Sequence, residues 1–346
     1  MKQKPKGAER KQRDYQEELT IKFMLRIEEA ISNAEKGLKW EKPWFTCDEL
    51  PWNALTEDRY SGCNIVSLMS ERWTDPRWMT FMQIGELGRK LNKKLYVRSG
   101  EKSSFVMKTI PVYERDEDGE IIKGFDGQPI PVCYKDGTPK LGFKWYAVFN
   151  AQQIAGGLDP YVKIEREVQP VQEVEILAKA MQQRTGLVID HSARAKAMYQ
   201  LGAHRIHMPD RELFDTDLDY AGCLLHELAH STGPALNREM GGSFGSPSYA
   251  YEELVAELTA SFMSVELGIK SDFSSHEKSV AYMKSWLDML KMDKYCLIKA
   301  SGQASKAVSY QLDHLKAYTE GIAPKKAFVP QPEPEPINGI GYKLKM

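Results

Sequence analysis

The stretch AGCLLHELAHSTG, Ala221 to Gly233, decides how the rest of this chain is read. His226, Glu227 and His230 spell H-E-x-x-H inside an apolar run, with Asp217 and Asp219 ahead of it as helix-start residues. On a helix, positions i and i+4 share a face, so both imidazoles reach one ion. Glu227, one residue on, sits where a carboxylate contacts a metal-bound water without being a ligand. A divalent metal lowers the pKa of such a water and Glu227 is placed to take its proton, so the implied reaction is amide hydrolysis.

A catalytic zinc takes three protein ligands and keeps one position open. The extended pattern H-E-x-x-H-x-x-G-x-x-H finds its glycine in Gly233 but meets Leu236 where the third histidine belongs. The segment YAYEELVAELTASFM, about twenty residues on, supplies Glu252, Glu253 and Glu257 instead. Glu253 and Glu257 are four apart and surrounded by Leu254, Val255, Ala256 and Leu258, an apolar setting in which an unpaired charge is costly. We assign Glu253 as the third ligand and Glu257 as the carboxylate orienting a metal-bound histidine; spacing alone leaves the reverse assignment open. The ligand types favour Zn²⁺, and Mn²⁺ suits them too. His204, His207 and Tyr220 are candidates for the oxyanion electrophile, although an ordinary structural role is the simpler reading of each.

Working outward, the chain has 346 residues, enough for two domains, with 42% hydrophobic and 27% charged residues. That composition excludes disordered, collagenous and coiled-coil chains. No apolar run approaches a membrane span, no apolar segment follows the basic N-terminus, and the five cysteines form no CxxC pair. We therefore expect a cytoplasmic protein with no membrane partner. Neither a Walker A sequence nor a GxGxxG is present, which disfavours nucleotide-driven motors and dinucleotide enzymes.

The two halves differ in kind. All seven histidines lie beyond residue 190, whereas six of seven tryptophans lie before residue 150, and residues 1–110 carry 21 Lys+Arg against 16 Asp+Glu. Periodicity predicts helices over 14–37, 174–183, 217–230, 249–267, 276–291 and 296–319, and strands at 95–98, 105–112, 145–149 and 203–208. Residues 114–129 read as an acidic surface excursion, and no internal repeat is apparent. The fold class is α+β: a basic N-terminus (1–13), a mixed α/β domain (14–158), a mainly helical domain with a short sheet (159–321) and a Pro-rich tail (322–346).

In the first domain Tyr60, Trp73, Trp78, Phe81 and Tyr96 interleave with Arg59, Arg72, Arg98, Lys102 and other cations. Single strands are bound by rings that stack on bases inside a cationic groove, and this composition suits that role. Core packing of the tryptophans is the competing explanation.

The motifs PWNAL, RYSGCNIVSL, WMTFMQIGELG, VRSGEKSS and YAVFNAQQI, followed by HRIHMPDRELF, HELAHSTG, YEELVAEL and YMKSWLDML, make the chain resemble the ArdC-type antirestriction proteins from about Tyr15 to Leu312. The resemblance implies a single-stranded-DNA-binding first domain and a zincin-like metallopeptidase second domain, in a protein that protects plasmid or phage DNA from restriction. It implies His226 and His230 as ligands, Glu227 as acid/base and a glutamate of YEELVAEL as third ligand. The expected DNA-binding residues are Arg59, Tyr60, Asn64, Arg72, Trp73, Trp78, Arg98 and Lys102. A protein of the restriction or DNA-processing machinery is a further expected partner. The competing function is a non-catalytic coat on single strands with a structural metal.

Overall fold

The computed structural model describes residues 14–36, 49–71, 73–162, 169–192, 196–240, 246–269 and 278–322. The fold class is α+β in two domains, as the sequence implies. The first helix, α1 (Tyr15–Glu35), starts where the Asp14 side chain accepts hydrogen bonds from the Gln16 and Glu17 amides. It buries Leu19, Phe23, Ile27 and Ile31, the face its four-residue spacing predicts.

The first domain continues through β1 (Trp52–Asn53), α2 (Cys63–Met69), β2 (Arg77–Thr80), α3 (Phe81–Leu91), β3 (Tyr96–Val97), β4 (Ser104–Pro111), β5 (Leu141–Asn150) and β6 (Ile154–Ala155). Four strands form a sheet in the order β1-β2-β5-β4, parallel only between β1 and β2, while β3 and β6 pair separately. The sequence reading places no helix at α2 or α3. α3 is nucleated by a capping box in which Thr80 and Gln83 exchange side-chain and backbone hydrogen bonds.

The acidic excursion between β4 and β5 is built from three successive tight turns, at Asp116–Gly119, Gly124–Gly127 and Tyr134–Gly137. In each, an aspartate side chain (Asp116, Asp126 or Asp136) accepts from the backbone amide two residues on. This is an internal repeat that the sequence reading overlooks. Its units are short and unequally spaced, and each recurs through one Asp and one Gly rather than through a hydrophobic pattern.

The second domain comprises α4 (Pro170–Thr185), β7 (Val188–Ser192), β8 (Met198–Gln200), β9 (Arg205–Pro209), α5 (Asp217–Ser231), α6 (Pro247–Glu266), α7 (Lys278–Met292) and α8 (Cys296–Thr319). Its sheet runs β7-β9-β8, with β7 parallel and β8 antiparallel to β9. The expected strand near 203–208 is β9; β7 and β8 are additions to the sequence reading.

The boundary between the domains is not a boundary in packing. One buried cluster joins Phe23 and Ile27 of α1 and Val66 of α2 to Leu177, Leu228, Phe262 and Leu297. At Gly62 (φ 58°) the chain enters α2 so close to α8 that an added Cβ would lie 3.6 Å from the Gly302 Cα, and the Gly62 amide donates to Ser305 Oγ at 2.7 Å. Thr20 Oγ1 likewise donates to the Lys294 carbonyl at 3.0 Å. Burial of this shared apolar surface, rather than a linker, fixes the first domain against the second.

Candidate metal centre and the N-terminal aromatic face

α5 and α6 lie side by side, and their facing turns assemble the centre. α5 is started by the Thr216 side chain, which accepts from the Asp219 amide, and α6 by Ser246, which accepts from the Tyr249 amide. The Nε2 atoms of His226 and His230 converge to 3.2 Å. Glu253 Oε2 lies 3.4 Å from His226 Nε2, and Glu253 Oε1 lies 3.6 Å from His230 Nε2. Ligands bonded to a tetrahedral metal at about 2.0–2.1 Å stand roughly 3.3 Å apart, so this triangle has the size of a zinc-type ligand set. The residues therefore fit a metal, and among the described residues these three form the group that could hold one.

The outer nitrogens are held as well. His226 Nδ1 faces Glu257 Oε2 at 3.5 Å, the orienting contact that the sequence reading assigns to Glu257. His230 Nδ1 faces Glu252 Oε1 at 3.1 Å, a partner the sequence does not advertise, because adjacent glutamates on a helix point about 100° apart. Glu252 is in turn gripped by Arg238, whose Nε donates to Oε2 at 3.0 Å and whose Nη2 donates to Oε1 at 2.8 Å. The same guanidinium donates to Thr232 Oγ1 at 2.7 Å and to the Ala229 carbonyl at 2.8 Å. Arg238 thus fastens the end of α5 to α6, and nothing in its sequence position announces this. It reaches the helix through the turn from Gly233, where the Arg238 amide donates to the Gly233 carbonyl.

These contacts set the protonation states. Burial disfavours a charge on His226, but the carboxylates of Glu253 and Glu257 outweigh it and raise the ring's pKa well above the usual value. Burial also opposes ionisation of Glu252 and Glu253. For Glu252 it is overcome by His230 and Arg238, and for Glu253 by His226 and the Tyr249 hydroxyl, so both stay below the ordinary glutamate range. Glu227 is buried, with 7% of its surface exposed, and its charge acts on His226.

His204, His207 and Tyr220 are engaged in and around the sheet. His204 Nδ1 pairs with Tyr199 Oη at 2.8 Å, His207 Nδ1 with Asp190 Oδ1 at 2.8 Å, and Tyr220 Oη with His191 Nε2 at 3.0 Å.

Family models match this architecture twice: residues 13–140 fit the N-terminal domain of the anti-restriction factor ArdC, and residues 177–303 fit a zincin-like metallopeptidase. The antirestriction protein ArdC of plasmid R388 superposes in its metal-free form with a TM-score of 0.63 at 29% identity, covering 85% of this chain and 97% of that one. Its Mn(II)-bound form gives 0.61 at 29% identity, covering 88% and 98%. The chain has the domain pair of the ArdC-type antirestriction proteins. A DNA primase TraC of Escherichia coli is 33% identical over 282 residues, 79% of this chain but 25% of the primase, so the chain spans about a quarter of that relative's length. Protein y4eC of Sinorhizobium fredii is 25% identical over 306 residues, 86% of this chain and 91% of that protein. The zincin-like domain is a metal-binding fold, and no helix among the described residues is long and apolar enough to cross a membrane.

In the ArdC-type N-terminal domain, the structure gathers part of the expected DNA-binding set and disperses the rest. Tyr60 and Trp73 pack half-buried with Tyr146 against Trp78, Leu68, Val106 and Val148. Trp78 is the floor of that cluster at 2% exposure, which closes it to stacking on a base and corrects the expectation placed on it. Asn64 is corrected too: its Nδ2 donates to the Met107 carbonyl at 2.9 Å and its Oδ1 accepts from the Met107 amide at 2.7 Å, so both polar atoms bind the β4 backbone. Arg59 is exposed and ion-paired with Glu266 of α6. Arg98 pairs with Glu101 at 2.8 Å, and the exposed Lys102 gives its carbonyl to Gln153 Nε2 at 2.8 Å, which makes this loop a braced turn. Arg72 lies outside the described residues.

Proposed function

We propose that this protein is an antirestriction protein of a mobile element that binds single-stranded DNA through its first domain and hydrolyses peptide bonds with a zinc held in its second. The ligand triangle of His226, His230 and Glu253, sized for a metal and followed by a buried Glu227, carries the catalytic half of the proposal. Bound zinc supplies a Lewis acid that acidifies water and polarises a carbonyl. The chain's own residues do the rest. Glu227 takes a proton from the attacking water and passes it to the leaving amine, while Glu252 and Glu257 hold the two imidazoles with Nε2 facing inward. Tyr249, bonded to Glu253, places a hydroxyl donor beside the same centre.

The half-exposed rings of Tyr60, Trp73 and Tyr146 support the DNA half, since ring faces at a cationic surface serve unpaired bases better than duplex. Measuring antirestriction in restricting and non-restricting recipients, with wild type and Glu227→Gln, tests the reading. Loss of protection in the variant, with DNA binding intact, is expected if hydrolysis is the activity. Full protection by the variant would reduce the protein to a coat on single strands with a structural metal.

A further inference from the structure

The register of the β4–β5 ladder creates an electrostatic mismatch. Ser104 stands opposite Val148, Val106 opposite Tyr146, and Lys108 opposite Lys144. Directly opposed residues of an antiparallel pair share one face with Cβ atoms about 4.5–5.5 Å apart, and like charges placed so repel. Both lysines are exposed, and among the described residues neither has an acidic partner. Lys144 Nζ leans over the Tyr146 ring at 5.3 Å. Along the same face, Tyr146 joins Trp73 and Tyr60 around the buried Trp78 and Val106. One face of the sheet therefore presents two uncompensated ammonium groups and, next to them, a run of half-exposed rings.

We propose that Lys108 and Lys144 together hold a backbone phosphate of a single DNA strand whose adjacent base stacks on Tyr146. A phosphate between the two ammonium groups converts their repulsion into two attractions. The rings alongside select an unpaired strand, because the bases of a duplex offer no free face for stacking. The acidic excursion fixes the direction of travel. It springs from the far end of the same two strands and carries seven acidic against three basic residues between Glu114 and Gly137, so the strand runs from the lysine pair toward Trp73 and Tyr60. This assignment rests on the single-strand reading of the first domain. It moves that reading from Trp78 and Asn64 to Lys108, Lys144 and Tyr146.

The test is fluorescence anisotropy of a labelled oligo-dT and of a matched duplex, titrated with the full chain over a range of salt. The Lys108→Ala/Lys144→Ala double variant should lower the slope of log affinity against log salt by about 0.7 for the single strand, the value for loss of one phosphate contact. Tyr146→Leu should weaken single-strand binding about tenfold or more and leave that slope in place. Lys108→Glu gives a result that a merely structural role would not: a cross-strand ion pair raises the melting temperature by about 1–3 °C while single-strand affinity falls. An unchanged slope in the double variant, with wild type still binding oligo-dT, overturns the site and leaves the DNA reading standing. Equal losses on duplex and single strand, with Tyr146→Leu silent, overturn the stacking assignment. Failure of wild type to bind either form at low salt overturns the DNA reading, and the site with it.

Discussion

At the metal centre each outer imidazole nitrogen faces a carboxylate, Glu257 for His226 and Glu252 for His230, and Arg238 neutralises the second of these. On the face of the β4–β5 ladder, Lys108 and Lys144 oppose one another with no acid between them among the described residues. A site that must hold one cation in one geometry gathers its carboxylates and fixes its imidazoles before the ion arrives, at the cost of burying charges that then depend on one another. A surface that must release and rebind a polyanion keeps its charges in water, where leaving them unpaired costs little. Damage to the first should therefore spread into stability, whereas damage to the second should stay in affinity.

The largest expected effect separates the two regions outright. On the proposed mechanism, Glu227→Gln should slow hydrolysis of an unfolded protein substrate by about 10²–10⁴-fold, because the proposed general base is lost while His226, His230 and Glu253 remain. Metal affinity by titration and oligo-dT affinity by anisotropy should both hold. A parallel loss of DNA binding would show that the two regions work as one unit and break the comparison.

Arg238→Ala probes the dependence among buried charges. With its guanidinium gone, Glu252 is stranded at 7% exposure and His230 loses its fixed partner, so about 3–5 kcal/mol of stability and 10–100-fold in metal affinity should go together. Calorimetry and metal titration read the two losses. Adding Glu252→Gln should restore part of the stability, since no charge is left behind. The pH dependence follows from the sign of the shift. Glu252 titrates below its unfolded value, so its contribution is present at neutral pH and vanishes as the pH falls through the folded value. Without Arg238 that loss moves to higher pH.

The same contrast explains what could be read in advance. His226, Glu227, His230, Glu253 and Glu257 lie on two helices, and a helix converts spacing in sequence into direction in space. The long helices α1 and α4 to α8 were legible for the same reason. Arg238 reaches the centre by a loop return from Gly233, which has no period. The pairing of Lys108 with Lys144 depends on a register set across an excursion of about thirty residues, and register is a tertiary property. Trp78 misled because a tryptophan's composition signal is the same in a core as on a stacking platform. α3 is passed over although Phe81, Ile84, Leu87 and Leu91 recur every three or four residues and Thr80 and Gln83 carry a capping signature, because the aromatic and cationic composition of that segment reads first as a binding surface.

A smaller effect checks whether Asn64 belongs to the DNA face or only supports it. Both of its polar atoms serve Met107, so Asn64→Ala should cost about 1–3 kcal/mol by leaving that amide and carbonyl without their partner. Denaturant melts measure the loss. At a temperature where the variant is fully folded, the salt slope for oligo-dT should equal that of wild type. A lowered slope would return Asn64 to the binding surface.

The smallest effect concerns protons. Every histidine lies in the second domain, so acid sensitivity near neutral pH should belong to the metal side of the comparison. Burial lowers the pKa of His204 and of His314, so the unfolded chain takes up these protons first. Stability then falls as the pH drops from about 6.5 toward the folded values, where unfolded histidine binds more protons than folded. His226 acts in the opposite sense. Its raised pKa contributes stability that is complete below the unfolded value and is lost as the pH rises through the folded one. A metal on His226 displaces that proton and removes the opposing contribution. Metal-loaded protein should therefore lose more of its stability than metal-free protein on going from pH 7.5 to 6, because acid also weakens metal binding. Melts of both forms across that range measure the difference. Parallel profiles would mean that His226 gives up no proton to the metal, which would break the link between ligand geometry and protonation on which the metal centre is read.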